Sequence, residues 1–193
     1  MEYHFYAMMS RMKYIERWAL MRNAISENIS EHSLEVSMLA HALAVIGKKR
    51  FHKELNAEKA ALIGLYHDAT EIITGDMPTP IKYYNRDILG AFQKIEENAA
   101  NQLLGMLPED IREEYHSIFF PEEEESYLWK LVKGADKLSA LIKCMEEEKT
   151  GNTEFVKAKI SIEEALMKME LPEVEFFMKE YLPSYAKSLD ELR

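Results

Sequence analysis

Apolar residues in this 193-residue chain recur at helical spacing, and no stretch shows the convincing alternation of a strand. His32, Val36, Leu39, Leu43 and Ile46 form one stripe, which Gly47 is placed to stop. A helix opening after Asn56 carries Ala60, Ile63 and His67 on one face, and Ile88, Phe92, Ile95, Ala99 and Leu103 mark another after Asn85. The longest helix is expected from about Glu122 to Lys149, striped by Leu128, Leu131, Ala135, Leu138, Ile142 and Met145 and ended by Gly151-Asn152. Two more are expected over 154–169 and 173–181, parted by Leu171-Pro172. There are no internal repeats, low-complexity tracts or Ser-, Gly- or Pro-rich linkers, so residues 1–193 read as a single compact all-α domain, a helical bundle.

Composition narrows the function classes. Apolar residues make up 47% and charged residues 30%, an ordinary soluble mix, and no apolar run approaches the ~20 residues of a membrane span. The N-terminal MEYHFYAMMSRMK lacks a basic segment followed by a long apolar stretch, so no secretory signal is expected. Cys144 is the only cysteine, which rules out an internal disulfide and fits a reducing compartment, the cytoplasm. A net charge of −10 argues against a nucleic-acid polymer as partner, because no basic surplus exists to displace phosphate counterions. It does not exclude a small phosphate ester, whose charge a metal and one or two local cations can offset. The run Glu122–Glu125 reads as carboxylates at the positive end of a helix dipole.

The chemistry gathers around His67-Asp68, with His32 upstream and Asp136 downstream. A His-Asp pair alone is weak evidence, and an inward histidine such as His32 is often only a hydrogen-bonded core residue. Asp136 weighs against that reading. In LVKGADKLSALI it stands among Gly134, Ala135, Ser139 and Ala140 on a helix rich in Leu and Ile, where a carboxylate must be exposed, paired or bound to a cation. Two imidazoles and two carboxylates without a thiolate suit one divalent transition ion such as Mn, Co, Fe, Ni or Zn. Such an ion lowers the pKa of water and makes it a nucleophile near neutral pH. If the helix persists past Asp68, Glu71 lies on the face of His67, where a general acid or base is needed. Residues 16–30 and 74–85 are irregular, and loops on a rigid scaffold are where substrate contacts concentrate.

The pattern H…HD…D on successive helices resembles the HD-domain phosphohydrolase superfamily. RWALMRN, ENISEHSLEVSMLAHAL, YHDATEIITGDMPTPIKY and KGADKLSALIKCMEE resemble, more closely, the bacterial deoxyribonucleoside 5′-monophosphate phosphatases of the YfbR type, over residues 17–147 and more loosely to YLPSY. The resemblance implies metal ligands at His32, His67, Asp68 and Asp136 and a catalytic carboxylate at Glu71. It implies a phosphate-orienting Arg17, a sugar contact at Trp18 and a nucleotide-contacting loop at Asp76, Met77, Pro78 and Thr79. It also implies a metal such as cobalt or manganese, a deoxynucleotide substrate and a homodimer. Lys82 is a further phosphate candidate and equally a solvated loop lysine.

The expected activity is therefore metal-dependent hydrolysis of deoxyribonucleoside 5′-monophosphates to deoxynucleoside and phosphate. The alternatives are a phosphodiesterase or triphosphohydrolase of the same superfamily and a non-catalytic nucleotide-binding domain. The chain offers no second His-rich ligand set and no basic cluster for a triphosphate, and its ligand set with Glu71 is intact.

Overall fold

The computed structural model describes residues 2–193 and is all-α; among the described residues there is no strand, only an isolated antiparallel bridge between Glu16 and Asn28. After α1 (Phe5–Met9) and a 3-10 turn (Met12–Tyr14), an irregular segment leads into α2 (Ile29–Arg50). Then follow α3 (Ala57–Tyr66), α4 (Glu71–Thr74), α5 (Thr79–Lys82), α6 (Arg86–Leu104), α7 (Glu109–Phe119), α8 (Ser126–Lys149), α9 (Val156–Met167) and α10 (Pro172–Glu180). Asparagines open several helices. Asn28 accepts from Ser30 and Glu31 amides while Glu31 returns a bond to its backbone, and Asn56 and Asn85 accept from Lys59 and Ile88 amides.

Helices α2, α3 and α8 form the centre. Val36, Leu39, Leu43, Ala60, Ile63, Leu131, Leu138 and Ile142 are buried together there, and Leu166, Leu171, Val174 and Phe177 from α9 and α10 close one side. A second apolar cluster joins Phe5, Leu103, Leu104 and Leu107 to Ala69, just past the His67-Asp68 pair. Truncating a buried leucine in either cluster typically costs about 2–5 kcal/mol.

Gly64 decides how closely α3 approaches α2. A Cβ there would lie 3.0 Å from Ser37 Cα and 3.1 Å from Val36 O, both backbone atoms that cannot swing aside. Since His67 stands one turn beyond, this approach brings its imidazole against α2.

Some sequence expectations need correction. Gly47 does not end α2, which continues to Arg50. Gly47 is a packing glycine instead, because a Cβ there would lie 2.5 Å from Leu55 Cδ1 and 2.9 Å from Glu173 Oε1. Of the stripe expected on α6, Phe92, Ala99 and Leu103 are buried while Ile95 is 51% exposed. The buried face is completed by Ala100 and Leu104. The long helix begins at Ser126, with Glu123–Glu125 as a 3-10 turn before it. Helix α7 was not expected from a sequence as charged as EDIREEYHSIF; only Ile118 of it is buried, and Arg112 ties it back to the Leu104 and Leu107 carbonyls at 3.0 Å each. The connection over 74–85 contains one helical turn, with Pro80 in its first turn. Cys144 is buried and its thiol is pushed up to about 11 by that burial, as a packing residue should be.

Candidate metal and substrate site

Three helical segments deliver the four predicted ligands to one place. His32 lies in the second turn of α2 and is fully buried, His67 and Asp68 follow the last residue of α3, and Asp136 lies mid-α8. One ligand atom from each of His32, His67 and Asp68 fits within 4.8 Å of the others. Asp136 joins through Oδ1, 3.1 Å from His32 Nε2 and 4.0 Å from His67 Nε2. Asp68 Oδ2 is 3.4 Å from His32 Nε2 and 3.1 Å from His67 Nε2.

Hydrogen bonding fixes which imidazole nitrogens face this cluster. His67 Nδ1 lies 2.7 Å from the Gly64 carbonyl, which can only accept, so Nδ1 carries the proton. Its Nε2 is buried with no hydrogen-bond partner. On His32, Nδ1 lies 3.0 Å from Ser139 Oγ, and that hydroxyl donates onward to Glu35 Oε2 at 2.5 Å. Ser139 therefore accepts from His32 Nδ1–H, and Nε2 faces the cluster, 3.1 Å from Asp136 Oδ1. Two imidazole Nε2 atoms and two carboxylates thus converge, and with both Nδ1 positions engaged by outer partners each Nε2 would offer its lone pair to a bound cation. Such a set fits a divalent cation: the donors are nitrogen and oxygen, the tautomers are held by outer partners, and one ligand atom is buried and orphaned without an ion.

The electrostatics agree with that reading. Burial works to raise the Asp68 carboxyl, yet His67, His32 and Arg17 hold it far below the usual carboxylate range. Asp136 is likewise brought down to about 2 against its burial, first by its hydrogen bond with His32. Burial lowers His32, assisted by Arg17, which keeps the imidazole neutral. His67 is lowered by burial but raised more by Asp68 and Asp136. Glu71 goes the other way. Burial first, then Asp68 and Asp76, push its carboxyl up to about 9.

Glu71 does not sit on a continuous helix with His67, because α3 ends at Tyr66 and α4 starts afresh at Glu71. Turn bonds bridge the break, from Ala69 N–H to Tyr66 O and from Glu71 N–H to Asp68 O, both 3.0 Å. They still turn Glu71 inward: it is 8% exposed, and its Oε2 is buried without a partner.

Arg17 and Trp18 come from the irregular segment before α2. Arg17 Nη1 donates to Asp68 Oδ2 at 3.3 Å and Nε to Glu27 Oε2 at 3.0 Å. The indole N–H of Trp18 donates to the same Glu27 oxygen at 3.0 Å, and its ring packs on Phe155 with centroids 5.2 Å apart. Trp18 has φ 58, a left-handed conformation unusual for a bulky residue. Asp76 is half-buried beside this pair; burial raises its carboxyl, while Arg17 and the Trp18 backbone amide pull it down. Met77 and Pro78 follow half-buried and Thr79 exposed along the same connection. Lys82 is paired with Glu96 at 2.8 Å, and both line the cavity beside the cluster.

A cavity of about 350 Å³ opens beside the cluster, lined by His67, Asp68 and Asp136 together with Phe119, Phe120 and Trp129. That volume suits a small ligand. A larger depression of about 760 Å³ near Lys48–Lys53 is open to solvent and is lined by none of the predicted site residues.

Residues that sequence reasoning missed are those acting at long range. Glu27 and Glu35 fall inside ENISEHSLEVSMLAHAL, and Lys143 and Glu147 inside KGADKLSALIKCMEE, but the sequence assigns none of them a role. Ser139 carried the one available signal, since it stands one turn from Asp136 on the same helix face.

The YfbR-like 5′-deoxynucleotidase family profile matches residues 4–185. A 5′-deoxynucleotidase of Yersinia pestis is 47% identical over 98% of this chain and 96% of its own length, as is one from Yersinia pseudotuberculosis. Among solved structures, an HD-domain phosphohydrolase from Listeria innocua superposes with a TM-score of 0.82 at 22% identity, covering 94% of this chain and 88% of that one. The cyanophage S-2L HD phosphohydrolase DatZ, bound to dA and one catalytic zinc ion, superposes with a TM-score of 0.64 at 19% identity, covering 94% and 96%. These two likenesses concern the fold. On the family profile and the Yersinia relatives, the chain belongs to the YfbR-like 5′-deoxynucleotidase family.

Proposed function

We propose that this chain is a metal-dependent phosphomonoesterase that hydrolyses deoxyribonucleoside 5′-monophosphates to deoxynucleoside and inorganic phosphate. The observation that carries the reading is the convergence of His32, His67 and Asp68, with the orphaned His67 Nε2 facing two carboxylates. Its family membership and the name borne by the Yersinia relatives support the substrate class.

In this reading His32 and His67, through Nε2, and Asp68 and Asp136 hold one divalent transition ion, with cobalt and manganese the first to test. When bound, such an ion offsets phosphate charge and makes water nucleophilic near neutral pH. Arg17 already spends Nε on Glu27 and Nη1 on Asp68, which leaves its remaining N–H groups for phosphate oxygens. Its guanidinium fixes the orientation of the phosphate as well as offsetting charge. Trp18, pinned at its indole N–H and its ring, borders the sugar, and Asp76 through Thr79 close the nucleotide side. Glu71 moves the proton that hydrolysis displaces, from the attacking water or onto the departing 5′ oxygen. Residues 1–193 act as one domain. No helix among the described residues is long and apolar enough to cross a membrane. A cytoplasmic homodimer acting on a small nucleotide, without nucleic acid or membrane, completes the proposal.

Phosphate release from a panel of deoxy- and ribonucleoside monophosphates, under several divalent ions and with chelator, tests it. The expected result is chelator-sensitive release from the deoxy substrates. Release that survives exhaustive chelation, or a preference for cyclic or triphosphate nucleotides, would overturn it.

A further inference from the structure

We infer that Glu27 is the residue that sets sugar selectivity, by holding Arg17 and Trp18 in fixed relation through one carboxylate oxygen. The inference rests on the activity proposed above and assigns part of it to a residue to which the sequence motifs give no role. Glu27 Oε2 accepts from Arg17 Nε and from Trp18 Nε1, each at 3.0 Å, and its side chain is only 13% exposed. Arg17 continues the chain of contacts to Asp68 at 3.3 Å. The path from the candidate metal cluster to the tryptophan therefore runs through Glu27 without a gap.

Trp18 needs such a hold. A tryptophan at φ 58 persists only where its surroundings overdetermine it. The Met21 amide and Asn23 Nδ2 bind its carbonyl, at 2.8 and 3.3 Å, and fix its backbone. Phe155 touches its ring from one side. Among the described residues only Glu27 binds the polar edge of the indole, and it fixes the ring's angle against Phe155. A ring that walls off a 2′-hydroxyl discriminates by shape, and shape discrimination is lost when the wall can tilt.

The backbone here does not depend on this side chain. Arg17 N–H donates to Glu27 O at 2.9 Å, Ile29 N–H to Ile15 O at 2.9 Å, and Glu16 pairs with Asn28. Removing the carboxylate should therefore free the two side chains and leave the segment in register. Glu27 is thus a positioning residue that touches neither substrate nor ion.

Glu27→Ala, Glu27→Gln and Trp18→Phe in the metal-loaded full chain test this. With hydrogen bonds to charged groups lost, Glu27→Ala should lower kcat/KM for deoxy substrates by on the order of tenfold to a hundredfold. It should also narrow the deoxy-to-ribo ratio. Glu27→Gln keeps an acceptor oxygen for the indole but loses the charge facing Arg17. It should restore the ratio while kcat/KM stays depressed for both sugars. Trp18→Phe keeps a ring but not the N–H, so adding Glu27→Ala to it should change the ratio no further. The Trp18 indole N–H resonance, assigned by its loss in Trp18→Phe, should move upfield in Glu27→Ala. Should Glu27→Ala keep the wild-type ratio, or lower the melting temperature without moving that resonance, Glu27 is structural and the inference fails. A wild-type protein that releases no phosphate from any nucleotide would sink the proposed activity and this inference together. An active wild type with an unchanged ratio in Glu27→Ala sinks this one alone.

Discussion

His67 and Arg17 both meet at Asp68, yet they reach it by opposite routes. His67 arrives at the end of a helix whose approach to α2 is set by Gly64, and its tautomer is fixed by a carbonyl one turn back. Every step on that side is local in sequence or enforced by helix packing. Arg17 and Trp18 arrive on irregular chain held by groups far away: Glu27 binds their side chains, and Glu147 receives the Ala24 and Ile25 amides at 2.8 and 3.1 Å. In the proposed reading the metal chemistry is built on the helices, and discrimination between similar substrates falls to the irregular segment that these distant groups hold. The two sides should then fail differently when mutated.

The helical side should fail completely. Replacing His67, Asp68 or Asp136 by Ala should abolish turnover and strip the ion, since each leaves a coordination position empty; metal content and phosphate release together check it. A variant that keeps full metal content and full activity would remove that residue from the ligand set. Glu71→Ala should cost less, about 10²–10⁴-fold in kcat, the range for a positioned acid or base. Metal and nucleotide should still bind, as calorimetry would show. Loss of the ion in that variant would make Glu71 a ligand and overturn its assigned role.

What sequence alone revealed follows the same division. His32 and His67 were legible because they continue apolar stripes whose period dictates where they point, and Asp136 because a carboxylate among small residues on a Leu- and Ile-rich helix calls for a partner; the structure brings Asp136 within ligand distance of both imidazoles. Helix α7 was not legible, because its burial comes from contacts that Tyr115 and Phe119 make with Phe5, over a hundred residues away in the chain. Glu27 opens the stretch ENISEHSLEVSMLAHAL, yet its role was not legible, since a glutamate in an irregular segment reads as solvated until the turn brings Arg17 and Trp18 to it. Gly47 misled for a related reason: it looks like a helix stop locally, and only the packing of Leu55 and Glu173 against it shows why it must be small.

The loop side should fail by degrees. Arg17→Ala should depress kcat/KM for deoxy and ribo substrates together, because phosphate is common to both. Trp18→Ala should instead narrow the gap between them, which shape alone keeps at ~10²-fold or less. Parallel measurements of kcat/KM on matched deoxy and ribo monophosphates separate the two. If Trp18→Ala leaves the ratio untouched, the residue only fills space against Phe155, and selectivity must lie over 76–79.

The smallest effect belongs to the anchor behind that loop. Glu147 is fully buried, paired with Lys143 at 2.5 Å and bonded by Asn152 Nδ2 at 2.7 Å as well as by the two loop amides, while Lys143 also binds the Ile25 carbonyl. Burial works to raise its carboxyl, but the Lys143 bond and these donors bring it down to about 2 from an ordinary 4.5. A carboxyl depressed on folding binds fewer protons in the native than in the unfolded state. Its stabilising contribution is therefore complete above 4.5 and fades as the pH falls toward 2. Glu147→Gln removes the charge at every pH. Its melting temperature should thus lie below wild type at neutral pH, with the gap closing across that acid window. At neutral pH the same variant should hold its metal as tightly as wild type while kcat/KM falls modestly, because only the loop has been loosened. A gap that stays constant through the acid range would show that packing rather than charge anchors the loop. Weakened metal binding would show instead that the helical and loop sides are not independent, and the contrast between them would fall with it.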